Sequence, residues 1–162
     1  MLQLASDFTF WLGTFKQGQY VQEVIGSFST AEDFWAYYQH IVRPEQQPEG
    51  NQIFLFKKNI TPVWEDPQNK FGGRFIFKVR KSLGNQILEE LLLSFVGADC
   101  DYDEFINGIV CHTKKGFIQM ALWVKDIKHN MDAFTTIEKW LKESILQLKE
   151  DRDIEFAFHP LT

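Results

Sequence analysis

Apolar and polar residues take turns along the first third of the chain. The alternation from Phe8 to Phe15 predicts a strand, Lys16 to Gln19 a connection, and Val21 to Phe28 a second strand. Ser29 with Glu32 three residues on has the form of a capping box, so a helix is expected to open there. At 100° per residue its buried face gathers Ala31, Phe34, Tyr37, Tyr38 and Ile41, with Trp35 at the rim. Pro44 ends it. Gln52 to Phe56 and Arg74 to Val79 read as strands. A second helix is predicted from about Gln86 to Val96, its core side Leu88, Leu91, Leu92 and Phe95, while Leu93 projects from the opposite face between Glu89 and Glu90. Ile106 to His112 and Phe117 to Val124 are strands joined at Lys114-Lys115-Gly116, which has the residues of a tight hairpin. Asn130 can cap a long helix, Met131 to Leu148, buried through Phe134, Ile137, Leu141, Ile145 and Leu148. Ile154 to Phe158 closes the pattern as a last strand. Strands with short links and three interspersed helices give an antiparallel α+β fold, expected as a single domain over 1–162.

Composition narrows the function. The chain of 162 residues is long enough for a real core, and 16 Phe with 5 Trp exceed what that core needs, leaving rings for ligands. A net charge of −5 argues against a broad cationic field, so any RNA contact should be local, at one end or one base. Cys100 and Cys111 make neither a metal spacing nor a disulfide framework, which suits a reducing compartment. No run reaches transmembrane length, and Met1 to Asp7 lacks the form of a signal peptide. The cytoplasm is therefore expected, with the nucleus left open. Asp99, Asp101, Asp103 and Glu104 have something of a calcium loop's spacing but lack its central glycine and terminal glutamate, so they read as a solvated loop. No metal and no cofactor is expected.

The segment Pro62 to Arg74 carries the candidate chemistry. Its two prolines, Pro62 and Pro67, remove ladder donors and fix φ, so Trp64 and Glu65 belong on a loop. An aromatic plane beside a carboxylate, with a cation ten residues on, suits a flat ligand bearing hydrogen-bond donors and a phosphate tail. The alternative is an indole packed over the sheet beside solvated charges.

Val63-Trp64-Glu65-Asp66, Asn69-Lys70 and Gly72-Gly73-Arg74 resemble the translation initiation factor 4E family, which binds the 7-methylguanosine cap of messenger RNA. Ser27 to Trp35 resembles the family's first helix with its partner-binding tryptophan, and Asn107-Gly108-Ile109-Val110 and Met120 to Trp123 follow at the family's spacing. The resemblance runs from about Phe8 to His159. It implies a curved antiparallel β-sheet with three helices packed on its convex face and the cap on the concave one. Under it, Glu65 accepts the two donors of guanine's Watson–Crick edge, each charge-assisted bond contributing about 1.5–3 kcal/mol when water is excluded. Trp64 stacks on the cationic purine, gaining cation–π attraction on top of about 1–3 kcal/mol of stacking. The opposing ring is Tyr20 or Phe15, Tyr20 being favoured. Trp123 matches the tryptophan near the N7 methyl group. Arg74, Lys114 and Lys115 are the phosphate cations, with Gln119 standing where the family commonly has lysine. Trp35, Leu93 and Glu90 would receive a short helix from a partner, an initiation scaffold or a repressor. Ile25 to Phe28, Val42-Arg43-Pro44, Val79-Arg80-Lys81 and Glu89 resemble the 4E-homologous branch, generally associated with repression. A monomer is expected.

Two other functions were weighed. A nucleotide enzyme would draw on Cys111 with His112, or on Glu65 with Asp66 around a metal. Neighbours on one strand face opposite ways, so the first pair cannot act together, and no catalytic residue is expected. A family fold that has lost cap binding and serves as an interaction module is the other.

Overall fold

The computed structural model describes residues 2–145 and 154–159. Strands β1 (Gln3–Lys16), β2 (Gln19–Thr30), β3 (Gln52–Lys57), β4 (Gly73–Arg80), β5 (Ile106–Thr113), β6 (Phe117–Val124) and β7 (Glu155–Phe158) form one curved antiparallel sheet in the order β2-β1-β3-β5-β6-β4-β7. Helices α1 (Ala31–Tyr38), α2 (Gly84–Val96) and α3 (Met131–Trp140) cover its convex face. The period-two alternation decides which side chains go where. Phe8, Phe10, Ile53, Leu55, Phe75, Phe77, Ile109 and Leu122 meet Leu88, Leu91, Leu92 and Phe95 of α2, Phe34 and Tyr38 of α1, and Ile137 of α3 in the main core. Phe54, Phe56, Val110, Ala121 and Trp123 form a smaller cluster on the concave face, with Trp11 and Ile76 against it and Ile60 folded in from a loop.

Helix ends differ from the pattern at two places. β2 stays paired as far as Thr30, which meets Gln3 beyond a shift in register, so Ser29 is still strand. Thr30 is the cap, its hydroxyl accepting the Asp33 N–H at 3.2 Å. Glu32 closes no capping box and instead accepts from the Leu2 N–H at 2.7 and 3.1 Å. At the other end of α1, the Arg43 guanidinium lies 3.8 Å over the Tyr38 ring and donates to the carbonyls of Tyr38 and Ile41, at and just past the helix end where carbonyls lack intrahelical donors. Asn130 caps α3 as expected, accepting from the Ala133 N–H at 3.1 Å. α3 is shorter than predicted because it passes at Leu141 into a π-turn through Ile145. Leu148 lies outside the described residues.

The acidic stretch is less solvated than expected. Asp103 pairs with the half-buried Lys57 ammonium at 3.1 Å, and Asp99 accepts from the Trp140 indole N–H at 3.1 Å, tying loop to β3 and α3. The link between β1 and β2 is very short. Lys16 pairs with Gln19, and the two residues between them, Gln17 and Gly18, have φ of 53° and 79°. Two successive positive φ values make a turn whose twist matches the strands it joins.

Candidate nucleic-acid interface

The sheet register lays concave-face residues in rows across the strands. One row reads Thr9, Phe56, Gly108, Trp123, Arg74 and Ala157, and the next Val24, Trp11, Phe54, Val110, Ala121 and Ile76. The third is polar: Gln22, Gly13, Gln52, His112, Gln119 and Lys78. A floor of rings and aliphatic groups thus gives way to a strip of hydrogen-bonding side chains.

Residues 58–72 fold over this face, and buried amides hold them. Asn69 donates to the carbonyls of Thr61 (3.0 Å) and Val63 (2.9 Å). Its own side-chain oxygen accepts from Asn107 of β5 at 2.9 Å, and Asn107 also donates to the Gln68 carbonyl at 2.8 Å. Asp66 is spent inside the loop, its carboxylate accepting from the N–H groups of Thr61 (2.8 Å) and Gln68 (2.9 Å). From the other side, Gln22 of β2 donates to the Pro62 carbonyl at 3.2 Å. The loop leaves against β6, where a Cβ on Gly72 would collide with the Val124 carbonyl. Trp64 and Glu65 take no part in this bracing. Trp64 is 39% exposed, and Glu65 is exposed and makes no hydrogen bond or ion pair among the described residues.

Phe15 and Tyr20 are cross-strand partners with ring centroids 5.5 Å apart, so the two candidates for the opposing ring form a single aromatic pair. Tyr20 lies across Gly13, where a Cβ would strike its hydroxyl. Gln52 donates to that hydroxyl at 3.0 Å, and burial pushes the phenol pKa up. Gln22 also lies against the hydroxyl, so one side chain connects Tyr20 to the loop bearing Trp64. Phe15 is more open, at 59% exposure.

Trp123 is buried in the concave floor, edge-on to Phe56 at 5.4 Å, with the His159 ring 4.4 Å away. Arg74 is its neighbour in the ladder. The Trp123 Nε1, the Arg74 Nε and the His159 Nε2 are all buried without a hydrogen-bond partner among the described residues. Burial, and then the Arg74 charge, hold the His159 imidazole down at about 4, so it is neutral near pH 7. Burial likewise lowers the Arg74 pKa. Lys114 and Lys115 sit at the β5–β6 turn, where the Lys114 N–H donates to Phe117 at 2.9 Å and Gly116 takes φ 80°. Arg74 pairs with Trp123, six residues along β6 from Phe117, which is about 20 Å at strand rise. The three predicted phosphate cations are therefore not one cluster: the lysines adjoin each other and Arg74 stands apart.

On the convex side, Trp35 and Leu93 are 43% and 39% exposed, and Glu90 accepts from Gln86 at 3.2 Å within α2. Tyr38 brings the two helices together. Its phenol is pushed up to about 12 chiefly by burial, with Glu89 of α2 adding to the rise against Arg43. An apolar groove of about 310 Å³ lined by Leu12, Ile25, Tyr37, Ile41 and Val42 runs beside α1. Cys111 is buried on the helix side with its thiol pushed up by burial, while His112 faces the concave side. No group of three metal-ligating side chains occurs among the described residues.

Sequence reasoning passed over Trp11, His159 and the Asn69–Asn107 clamp. The alternation of β1 already sets Thr9, Trp11 and Gly13 opposite Phe8, Phe10 and Leu12, and that signal was enough to place Trp11 on the site face. Nothing local in the sequence pairs Asn69 with Asn107.

The chain matches the family Eukaryotic initiation factor 4E over residues 3–162. It is 33% identical over 121 residues to the rice (Oryza sativa subsp. japonica) eukaryotic translation initiation factor NCBP, covering 73% of this chain and 53% of the relative. To the Drosophila melanogaster eukaryotic translation initiation factor 4E1 it is 34% identical over 148 residues, 89% of this chain and 56% of the relative. The chain thus spans about half the length of these curated relatives. In structure it superposes on Caenorhabditis elegans eIF4E-3, solved in complex with the 4E-binding protein Mextli and a cap analog, with a TM-score of 0.90 at 27% identity, covering 98% of this chain and 92% of that one. With the family model matched over nearly its whole length and the fold shared with that solved structure, the chain belongs to the eukaryotic initiation factor 4E family.

Proposed function

We propose that this chain binds the 7-methylguanosine cap of messenger RNA on its concave face and a helix-bearing protein partner on its convex face, in translation initiation in the cytoplasm. One observation carries the reading: a loop fastened by Asn69, Asn107 and Asp66 presents the Trp64 ring to solvent beside a Glu65 carboxylate that makes no hydrogen bond or ion pair among the described residues. Rigid bracing of a free ring beside a free carboxylate is what recognition of a flat, donor-bearing base requires, because little ordering entropy remains to be lost on binding. Glu65 accepts the N1–H and 2-amino protons of guanine. Trp64 stacks on the methylated purine, and the Tyr20–Phe15 pair provides the opposing ring. Trp123 backs the N7 methyl group, and Arg74, Lys114 and Lys115 supply charge to the phosphates. Trp35, Leu93 and Glu90 receive the partner's helix. The solved C. elegans eIF4E-3 complex holds both a cap analog and a 4E-binding protein, which supports the pairing of these two faces. No catalytic role is assigned: Asp66 is engaged within the loop and the Cys111 thiol is sealed from His112. The second reading, a cap-binding repressor, rests on Glu89, an acidic residue of α2 beside Tyr38 in the partner face.

Titration with 7-methyl-GTP against GTP, followed by tryptophan fluorescence, tests the proposal. Quenching with a clear preference for the methylated nucleotide is expected, and Trp64→Ala and Glu65→Ala should each remove most of the binding. Equal affinity for the two nucleotides would refute it.

A further inference from the structure

Between Arg74 and the hairpin lysines lies a gap that the polar row of the concave face crosses. Its central member is His112, half-buried on β5, with Gln52 of β3 on one side and Gln119 of β6 on the other. Lys78 of β4 follows next to Gln119, about 10 Å from His112 by two strand spacings. From the turn, Lys114 is near enough to bear on the imidazole electrostatically. From β2, Tyr20 reaches the row through its bond with Gln52. None of these facing groups is a carboxylate; Glu155 of β7 lies three strands away and one row over. Among the described residues, His112 therefore has donors and positive charge around it and no carboxylate beside it. An arriving anion would give a protonated imidazole at this position a stabilising partner.

We propose that His112 contacts the phosphate chain of the bound cap and takes up a proton when it does, so that cap affinity is linked to pH. The inference rests on the cap-binding reading above and adds its regulation. In the free protein, burial and then the Lys114 charge keep His112 below the ordinary imidazole range. A phosphate set against it reverses the balance, because an adjacent opposite charge favours the protonated form. The bound-state pKa then exceeds the free-state one, and the extra affinity grows as pH falls through that interval and vanishes above it. Gln119 contributes a neutral donor to the same contact.

The experiment compares wild type with His112→Asn and His112→Lys, titrating 7-methyl-GTP and the phosphate-free nucleoside 7-methylguanosine between about pH 8 and about pH 6. Titration of the ligands themselves is common to all three proteins and cancels in the comparison. If phosphate raises the imidazole by about one unit, the wild-type advantage over His112→Asn for 7-methyl-GTP should grow by up to about tenfold across that range. The nucleoside should show no such growth, which also reports that the variant's base site is intact. His112→Lys should bind the triphosphate tightly at both ends of the range, its charge being fixed. Parallel pH profiles for wild type and His112→Asn with 7-methyl-GTP would overturn the proposal while leaving cap binding standing. Failure of both ligands to bind wild type better than GTP and guanosine would remove the cap reading and this inference together.

Discussion

Glu65 and Asp66 are adjacent carboxylates with opposite fates, and the difference defines the site. Asp66 closes two turns of its own loop, whereas Glu65 is left to solvent. The same division separates Asn107, which never faces the ligand position, from the loop it supports. Asn107→Ala would strip donors from the Gln68 carbonyl and the Asn69 side chain, both beneath the loop. It should cost about 1–3 kcal/mol of stability by leaving buried acceptors unpaired, and it should also weaken 7-methyl-GTP binding. Urea denaturation and nucleotide titration on one preparation check both effects; lost stability with full affinity would mean that the clamp does not shape the site. His159 yields a pH prediction of definite sign. Its folded-state pKa, about 4, lies below the ordinary imidazole value of 6.5, so the neutral form belongs to the fold. Stability from this group is complete above about pH 6.5 and is lost as pH falls toward 4. Wild type should therefore lose more Tm between those limits than His159→Phe, as read by thermal melts across the range.

At the scale of elements, what the sequence made legible was periodicity, and what it hid was contact between distant segments. Each predicted strand and helix occurs because an apolar face every second or every third to fourth residue needs the opposite layer to bury it. The helix start at Ser29 was misread because Thr30 offers the same capping chemistry one residue later, and only pairing with Gln3 decides between them. The shortness of α3 has a similar origin, since its apolar period continues through Ile145 while the backbone changes to a π-turn. The loop position of Trp64 and Glu65 is legible because Pro62 and Pro67 exclude a strand there. The clamp under them is not, because Asn107 is 38 residues from Asn69. The exposed positions of α1 and α2 allow the faces to be tested separately. Trp35→Ala should leave 7-methyl-GTP affinity unchanged and cost the partner helix more than about 2 kcal/mol, as expected of a central aromatic anchor. Calorimetry with a helical partner peptide and with nucleotide reads the two effects; a loss of cap binding equal to that of Trp64→Ala would show that the faces are not independent.

Across the whole molecule, one sheet separates two surfaces of different character. Its convex side spends its aromatic residues on the core and leaves Trp35 and Leu93 at the surface, and its concave side holds a small ring-lined floor bordered by polar groups. A net charge of −5 gives no broad cationic field for RNA at large, so under the proposed function recognition comes from one nucleotide held in place. The separation of Arg74 from Lys114 and Lys115 fits a ligand that crosses the face rather than one gripped at a point. The most direct test is a crystal structure of the chain with 7-methyl-GTP. The account predicts the purine flat against the Trp64 indole, both Glu65 oxygens within hydrogen-bonding reach of N1 and the 2-amino group, and the phosphates running over the row that contains His112. A nucleotide seated elsewhere, with the Trp64 ring empty and Glu65 still in solvent, would contradict it.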